Sequence, residues 1–172
     1  YTFFRAGPWE ELERALERIC YEAEYAIEQG SSFVILSDRG VDAGNAPIPA
    51  LLAASAVHQH LVKKAIRSQI SIVVESGEPR EVNHFALLCA YGADCINPYL
   101  AYEAIEQLKK DGQIEVETPK ALANFKKAVV KGLLKVLSKM GISTLRSYRG
   151  AQIYEALGIN ADVIDRYFTN TV

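Results

Sequence analysis

The sequence predicts an α/β fold: parallel βαβ units, about three strands flanked by helices, followed by a mostly helical segment with one short strand. Three observations lead there. Short apolar runs alternate three times with long helical patterns before residue 111. Polar residues gather just past the ends of those runs. From residue 118 onward the chain turns basic and the alternation stops.

The first helix is expected over about Trp9–Gln29. Leu12, Leu16, Ile19, Ala23 and Ile27 recur at helical spacing, Pro8 suits the start and Gly30 the stop. Glu10, Glu11, Glu13 and Glu17 favour its N-terminal half through the helix dipole. The run Phe33-Val34-Ile35-Leu36 reads as a buried strand ending in Ser37-Asp38-Arg39-Gly40. Residues 40–49, rich in Gly, Pro, Asn and Asp, read as a loop. A helix over about Ala50–Arg67 leads to a second buried strand, Ile70–Val74. A helix near Glu81–Tyr91, a strand at Asp94–Ile96 and a helix over about Tyr99–Lys110 complete the alternation, which right-handed crossovers would fold into a parallel sheet. After a linker at Asp111–Pro119, Lys120–Lys139 is expected to be helical. Leu122, Phe125, Val129, Leu133 and Leu137 line one face, and Lys127, Lys131, Lys135 and Lys139 form a second stripe. Gly141–Thr144 reads as the one short strand, with helices near Tyr148–Leu157 and Asp162–Phe168 after it.

At 172 residues, 49% hydrophobic and 23% charged, the chain suffices for one sizeable core, or for one domain and part of a second. No apolar stretch approaches the roughly 20 residues that span a bilayer. The start at Tyr1 has no apolar signal run behind it and reads as trimmed or processed, and the interior of the cytoplasm, or of a plastid, is the expected location. Cys20, Cys89 and Cys95 make an odd count without CxxC spacing. They argue against a disulfide framework, a zinc site or an iron–sulfur cluster built by this chain alone, and read as small buried hydrophobes. Residues 1–117 carry 10 Lys+Arg against 18 Asp+Glu, whereas residues 118–172 carry 9 against 3. That break predicts a boundary between an α/β unit at 1–117 and a second, incomplete unit at 118–172.

Generic catalytic motifs are absent: no GxGxxG, Walker loop, GxSxG or HExxH occurs. His58 and His60 lie two apart on a helix and point away from each other, so they read as structural, and so does His84. Ser37-Asp38-Arg39 at a strand end is either a ligand-binding pair or an ion pair that orders its loop. Glu75-Ser76-Gly77-Glu78-Pro79-Arg80-Glu81 offers carboxylates that could act as acid and base if they converged, or could cap the next helix. The lysine stripe could face nucleic acid or an acidic partner, but it lacks interleaved aromatics and resembles the wet side of a helix. Ser138-Lys139-Met140-Gly141-Ile142-Ser143-Thr144 reads as a helix cap entering a strand, where Gly141 would let backbone approach a planar cofactor closely.

Longer motifs carry a resemblance. Residues 132–144 (Gly132-Leu133-Leu134-Lys135-Val136-Leu137-Ser138-Lys139-Met140-Gly141-Ile142-Ser143-Thr144) and 147–158, opening Ser147-Tyr148-Arg149-Gly150, look like the opening of the flavin-binding domain of glutamate synthase. Ile35-Leu36-Ser37-Asp38-Arg39, Val74-Glu75-Ser76-Gly77-Glu78 and Ile96-Asn97-Pro98-Tyr99-Leu100-Ala101 resemble that family's central domain in the same order. Departures are few: Gln59 where the family has a histidine, Asn83-His84 in place of His-His, and Asn170 in place of Gly.

The resemblance implies a fragment of glutamate synthase (large or ferredoxin-dependent type), with 1–117 ending its central domain and 118–172 starting its FMN barrel. The full enzyme makes L-glutamate from L-glutamine and 2-oxoglutarate by reductive transfer of ammonia, with FMN, an iron–sulfur cluster and ferredoxin or NAD(P)H. This chain lacks the N-terminal cysteine nucleophile, the cysteine cluster and most of the barrel. It is therefore expected to be structural and non-catalytic, to bind no cofactor alone, and to work with the remaining glutamate synthase domains or subunits. A homo-oligomer is left open; membrane and nucleic acid are not expected partners. By resemblance, Met140, Gly141, Ile142 and Ser143 are the candidate FMN-binding residues, and no catalytic or metal-binding residue is assigned. The alternative is a standalone α/β binding module that recruits an acidic partner or nucleic acid through its lysine stripe.

Overall fold

The apolar residues sort into two layers, a parallel sheet and the helices that cover one of its faces. In the computed structural model, which describes all 172 residues, the elements run β1 (Phe3–Arg5), α1 (Trp9–Glu28), β2 (Phe33–Ser37), β3 (Asn45–Pro47), α2 (Ala50–Lys63), β4 (Ser71–Glu75), α3 (Val82–Ala90), β5 (Cys95–Asn97), α4 (Tyr99–Lys110), α5 (Thr118–Lys139), α6 (Leu145–Tyr148) and α7 (Ala161–Tyr167). Strands β2, β4 and β5 form a parallel sheet in that order. The three expected strands and the helices between them are all present.

Leu36, Ile72 and Val74 point to one side of the sheet and are buried there with Leu16 and Ile19 of α1, Val57 and Leu61 of α2, and Leu88 of α3. Helix α2 is buried almost all round at Leu52–Val57, because α1 and α7 cover its outer side. Its alanines let those neighbours approach closely. Tyr167 and Phe168 close the same core, and the Ser55 hydroxyl donates to the Tyr167 carbonyl.

The opposite face of the sheet is bare. Phe33 and Ile35 are 58% and 53% exposed, Cys95 is exposed, and Val73, on the central strand, is only half-buried. The apolar runs expected to be buried on both faces are therefore covered on one only.

A small antiparallel ribbon, β1 with β3, was not legible in the sequence; the stretch 40–49 reads there as loop. The Asp42 carboxylate builds its turn by accepting from the Gly44 and Asn45 amides at 2.8 and 2.9 Å. The ribbon ties to the end of β2 through the Thr2 amide, which donates to the Ser37 carbonyl at 2.7 Å.

Helix α5 packs across α3 and α4. Phe125 sits edge-on between Phe85 and Tyr102. Gly132 meets Val82 so closely that a Cβ there would lie 2.4 Å from a valine methyl. Leu137 joins Ala86, Cys89, Ala90 and Tyr148 in a second, smaller core.

Two expectations past residue 140 are corrected. Gly141–Thr144 is not a strand; the Thr144 hydroxyl accepts from the Ser147 amide and starts α6, so this short stretch is spent on a cap. The helix expected at Tyr148–Leu157 is only α6, ending at Tyr148. Gln152 and Gly150 have positive φ, and the Gly150 amide leaves the helical pattern to donate to the Ala90 carbonyl at the end of α3. Asn170, where the resemblance leads one to expect Gly, also has positive φ, a conformation Asn tolerates.

A charged knot closes the end of the sheet where the strands begin. Asp94, just before β5, accepts from Arg67 at 2.7 Å, from the Ile72 amide at 2.9 Å and from Arg149. Arg67 also donates to the Ile70 and Gly92 carbonyls and, through Nε, to His58 Nδ1 at 2.9 Å. Burial pushes Asp94 up, but the Ile72 amide and the two arginines outweigh it, so its carboxyl lies below the ordinary value. Burial, then the charges of Arg67 and Arg149, push the His58 imidazole down to about 4.

The unfolded chain therefore binds more protons at His58 than the folded one between about pH 4 and about pH 6.5. Stability rises with pH through that window and is flat above it, by on the order of 2–3 kcal/mol for this group. Urea midpoints measured between pH 4 and 7 should show this slope, and His58→Gln should flatten it.

Candidate functional site

Parallel sheets place their functional groups where the strands end, because loops from neighbouring strands converge there. Here β2, β4 and β5 end in register on Ser37, Glu75 and Asn97. The Glu75 carboxylate lies at the centre. It accepts from the Ser37 hydroxyl at 2.6 Å, from Arg39 Nε at 3.0 Å and from Asn97 Nδ2 at 3.2 Å. These donors, Ser37 foremost, hold its carboxyl below the usual carboxylate range against the opposing effect of burial.

A second carboxylate is more deeply enclosed. Asp38 accepts from the Ser76 hydroxyl at 2.6 Å and from the Gly77 amide at 3.1 Å. The Tyr99 hydroxyl lies against it and is pushed up to about 12 by burial and by that carboxylate. Arg39 stacks on the Tyr99 ring, 3.9 Å from its centroid, and reaches Glu103 at 3.4 Å. Glu78 faces another way. Its carboxylate accepts from the Ala50 amide at 3.1 Å and caps α2, whose preceding Pro49 has no side-chain acceptor to offer. Partial desolvation raises its pKa, the Ala50 amide lowers it and the nearby Asp38 charge raises it.

Ser37-Asp38-Arg39 and Glu75-Ser76-Gly77 are thus brought together, but not by the ion pair expected between Asp38 and Arg39: Arg39 pairs with Glu75 and Glu103, and Asp38 accepts from Ser76 and Gly77. Glu81 stands apart: His84, at the start of α3, takes the Arg80 and Glu81 amides onto Nδ1. The carboxylates do not converge as an acid–base pair. Asn97, Tyr99 and Glu103 escaped the reading of site chemistry; their only signal was the matched register at the end of the third strand.

Met140, Gly141, Ile142 and Ser143 lie outside this cluster and share no hydrogen bond with it. They form the turn that ends α5, where the Gly141 and Ile142 amides donate back to Ser138 and Leu137. Met140 is half exposed, Ile142 packs on the smaller core, and Gly141 has φ +69° with open space where its Cβ would stand. Lys127, Lys131, Lys135 and Lys139 are exposed on α5. His60 pairs with Glu24 at 2.9 Å. Burial pushes the Cys20 and Cys89 thiols up to about 12 and about 11, and Cys95 is exposed on the bare sheet face.

Three parallel strands with all their helices on one face and the polar ends in one layer define part of a barrel-type α/β protein. Solved barrels agree with that class. A flavocytochrome b2 variant with pyruvate bound superposes with TM-score 0.57 over 85% of this chain and 36% of its own, at 14% identity. DHODH from Eimeria tenella, in complex with ferulenol, superposes with TM-score 0.52 over 80% of this chain and 35% of its own, at 15% identity. At such identities the likeness concerns the fold alone.

Sequence relatives are more specific. The profile described as "Glutamate synthase central domain" matches residues 1–160. The glutamate synthase (NADPH) large chain of Bacillus subtilis is 54% identical over 94% of this chain and 11% of its own length. The glutamate synthase (NADH) of Schizosaccharomyces pombe is 45% identical over 99% and 8%, and the chloroplastic ferredoxin-dependent glutamate synthase of Spinacia oleracea 44% identical over 98% and 11%. The chain belongs to the glutamate synthase central domain family and spans about a tenth of the length of these relatives. The reading of the lysine stripe as a recruiting surface gains nothing from them.

Removing the central carboxylate tests how far the strand-end cluster holds the fold. Glu75→Ala leaves Arg39, Ser37 and Asn97 without their shared acceptor and should cost about 2 kcal/mol, a fall in Tm of roughly 4–8 °C by thermal melting. The loss should shrink as pH falls through the carboxylate's lowered pKa, since that stabilisation is present above its ordinary value and vanishes with protonation.

Proposed function

We propose that this chain is a framework segment of a glutamate synthase, the enzyme that makes L-glutamate from L-glutamine and 2-oxoglutarate, and that it supports that chemistry without performing it. One observation carries the reading: the strand-end carboxylates are already occupied. Glu75 and Asp38 are surrounded by donors from this chain, and Glu78 caps a helix. Groups held so firmly fix loops in place; none is left free to move a proton. The buried thiols are kept protonated and are poor nucleophiles.

Two cofactors belong to the enzyme by family resemblance. An iron–sulfur cluster does not fit this chain: Cys20, Cys89 and Cys95 lie in the main core, the smaller core and the bare sheet face, and no group of three or more potential ligands gathers. For FMN the fit is partial. Gly141 presents backbone without a side chain into open space, so Met140, Gly141, Ile142 and Ser143 would form one wall against the isoalloxazine ring, with the rest supplied by other segments. FMN, when bound, supplies the electron transfer. The contribution of this chain is to hold that wall in place through Leu137 and Ile142 in the smaller core. Partners are accordingly the remaining domains of the same enzyme.

Titrating FMN with the 172-residue chain should leave flavin fluorescence unchanged at micromolar concentrations. Tight one-to-one quenching would overturn the framework reading.

A further inference from the structure

We propose that the cleft between the start of α2 and the start of α3 binds a free α-amino acid with an apolar side chain, its ammonium held by Glu78 and its carboxylate by Arg80 and His84. The site is built from residues of this chain alone and stands apart from the framework reading. The cleft holds about 340 Å³, inside the roughly 300–1,000 Å³ range of small-molecule sites. Leu51, Pro79 and Leu87, buried or half-buried, give it an apolar floor, and Glu78 and Arg80 stand exposed at its rim.

Opposite charges share this cleft without pairing. Glu78 accepts only the Ala50 amide, which lies 3.1 and 3.2 Å from its two oxygens. The Arg80 side chain makes no hydrogen bond and no ion pair within the chain; its backbone amide alone is engaged, by His84. The fully buried Pro79 stands between the two, fixes its own φ and bars Glu78 from a helical turn, so the charged groups are kept from collapsing onto each other. An α-amino acid carries the complementary pair, an ammonium and a carboxylate held apart on one carbon. A carboxylate offers about four lone-pair sites, and the α2 cap leaves Glu78 room to accept an ammonium as well. Desolvation raises the Glu78 pKa, an effect that a bound ammonium would oppose.

His84 supplies a second donor. Its Nδ1 accepts from the Arg80 and Glu81 amides at 3.1 and 3.4 Å, so the ring hydrogen stands on Nε2. Nε2 lies 4.0 Å from the Glu81 carboxylate, beyond hydrogen-bond reach, and is a free donor in the lining. A guanidinium and an imidazole N–H together suit a carboxylate. The floor has neither donor nor acceptor for a polar side chain, and Leu51, Pro79 and Leu87 select an aliphatic one by the area it removes from water.

The probe is radiolabelled L-leucine, bound by equilibrium dialysis to the full-length protein that carries this segment. One molecule should bind per chain. Arg80→Gln and Glu78→Gln should each weaken binding about tenfold or more, the loss of one charge-assisted contact. Lys127→Gln, exposed on α5, should leave it unchanged. Leucinol lacks the carboxylate and isocaproate the ammonium, and each should compete about tenfold less well than unlabelled L-leucine, or worse. Absence of binding at millimolar L-leucine overturns the proposal, whether the cleft is then empty or covered by the rest of the polypeptide. Binding that survives Arg80→Gln also overturns it, since the L-leucine would then sit elsewhere in the enzyme. Isocaproate competing as well as L-leucine overturns the role of Glu78. If Glu78→Gln fails to fold for want of its α2 cap, Arg80→Gln and the two analogues decide.

Discussion

Asp94 is the point on which the two parts of this chain depend. Its carboxylate ties Arg67, which leads into β4, to Arg149, which follows α6, while also accepting the first buried amide of β4. Residues 27 and 55 positions away in sequence are held on one acceptor. The arginines are 12% and 17% exposed, so each is costly to leave unpaired. The knot excludes a bulky neighbour as well. Gly92 has φ +126°, and a Cβ there would stand 2.5 Å from His58. The segment after α6 has few regular hydrogen bonds of its own, and this tie, with the Gly150 cap on α3, sets its course.

The sheet is thus clamped at both ends by charge. At its start the knot joins α2, β4, β5 and the C-terminal segment; at its finish Glu75 and Asp38 join the three strand-end loops. Between the clamps only one face is packed. The apolar residues of the other face contribute little to the stability of the isolated chain, because stabilisation scales with area removed from water. Both clamps are built from residues of this chain, so the strand ends are tied to one another whether or not the face between them is covered.

Much of this was legible in the sequence, and the failures have physical causes. Helices α1 and α5 follow from apolar periodicity, and the three strands from short apolar runs bounded by polar residues. Periodicity says which residues are apolar but not how many layers cover them, so Phe33–Leu36 reads as doubly buried. Past Met140 the local signals mislead: Thr144 is taken by a cap, and the Gly150 amide is drawn to a carbonyl 60 residues away. The charge break falls where α5 begins at Thr118, yet the core does not divide there, since Tyr167 and Phe168 pack against α2. Of the strand-end cluster, Ser37, Asp38, Arg39 and Glu75 stood out by type and position. Asn97 and Tyr99 become partners only through register. The knot left no sequence signal, because nothing local relates Arg67, Asp94 and Arg149.

The same distinction separates support from catalysis at this site. A catalytic carboxylate needs a pKa near its working pH and a side left open to substrate. Glu75 is moved the other way, its carboxyl lowered by Ser37, Arg39 and Asn97, and its oxygens are taken by them. Arg39 in turn is shared between two carboxylates and pressed on the Tyr99 ring, which fixes its direction. What such a cluster does well is resist displacement: moving one loop breaks bonds to the other two. Position at a strand end gives a residue the opportunity for chemistry, and its hydrogen-bond partners decide whether it takes it. Here those partners are the three strand-end loops themselves.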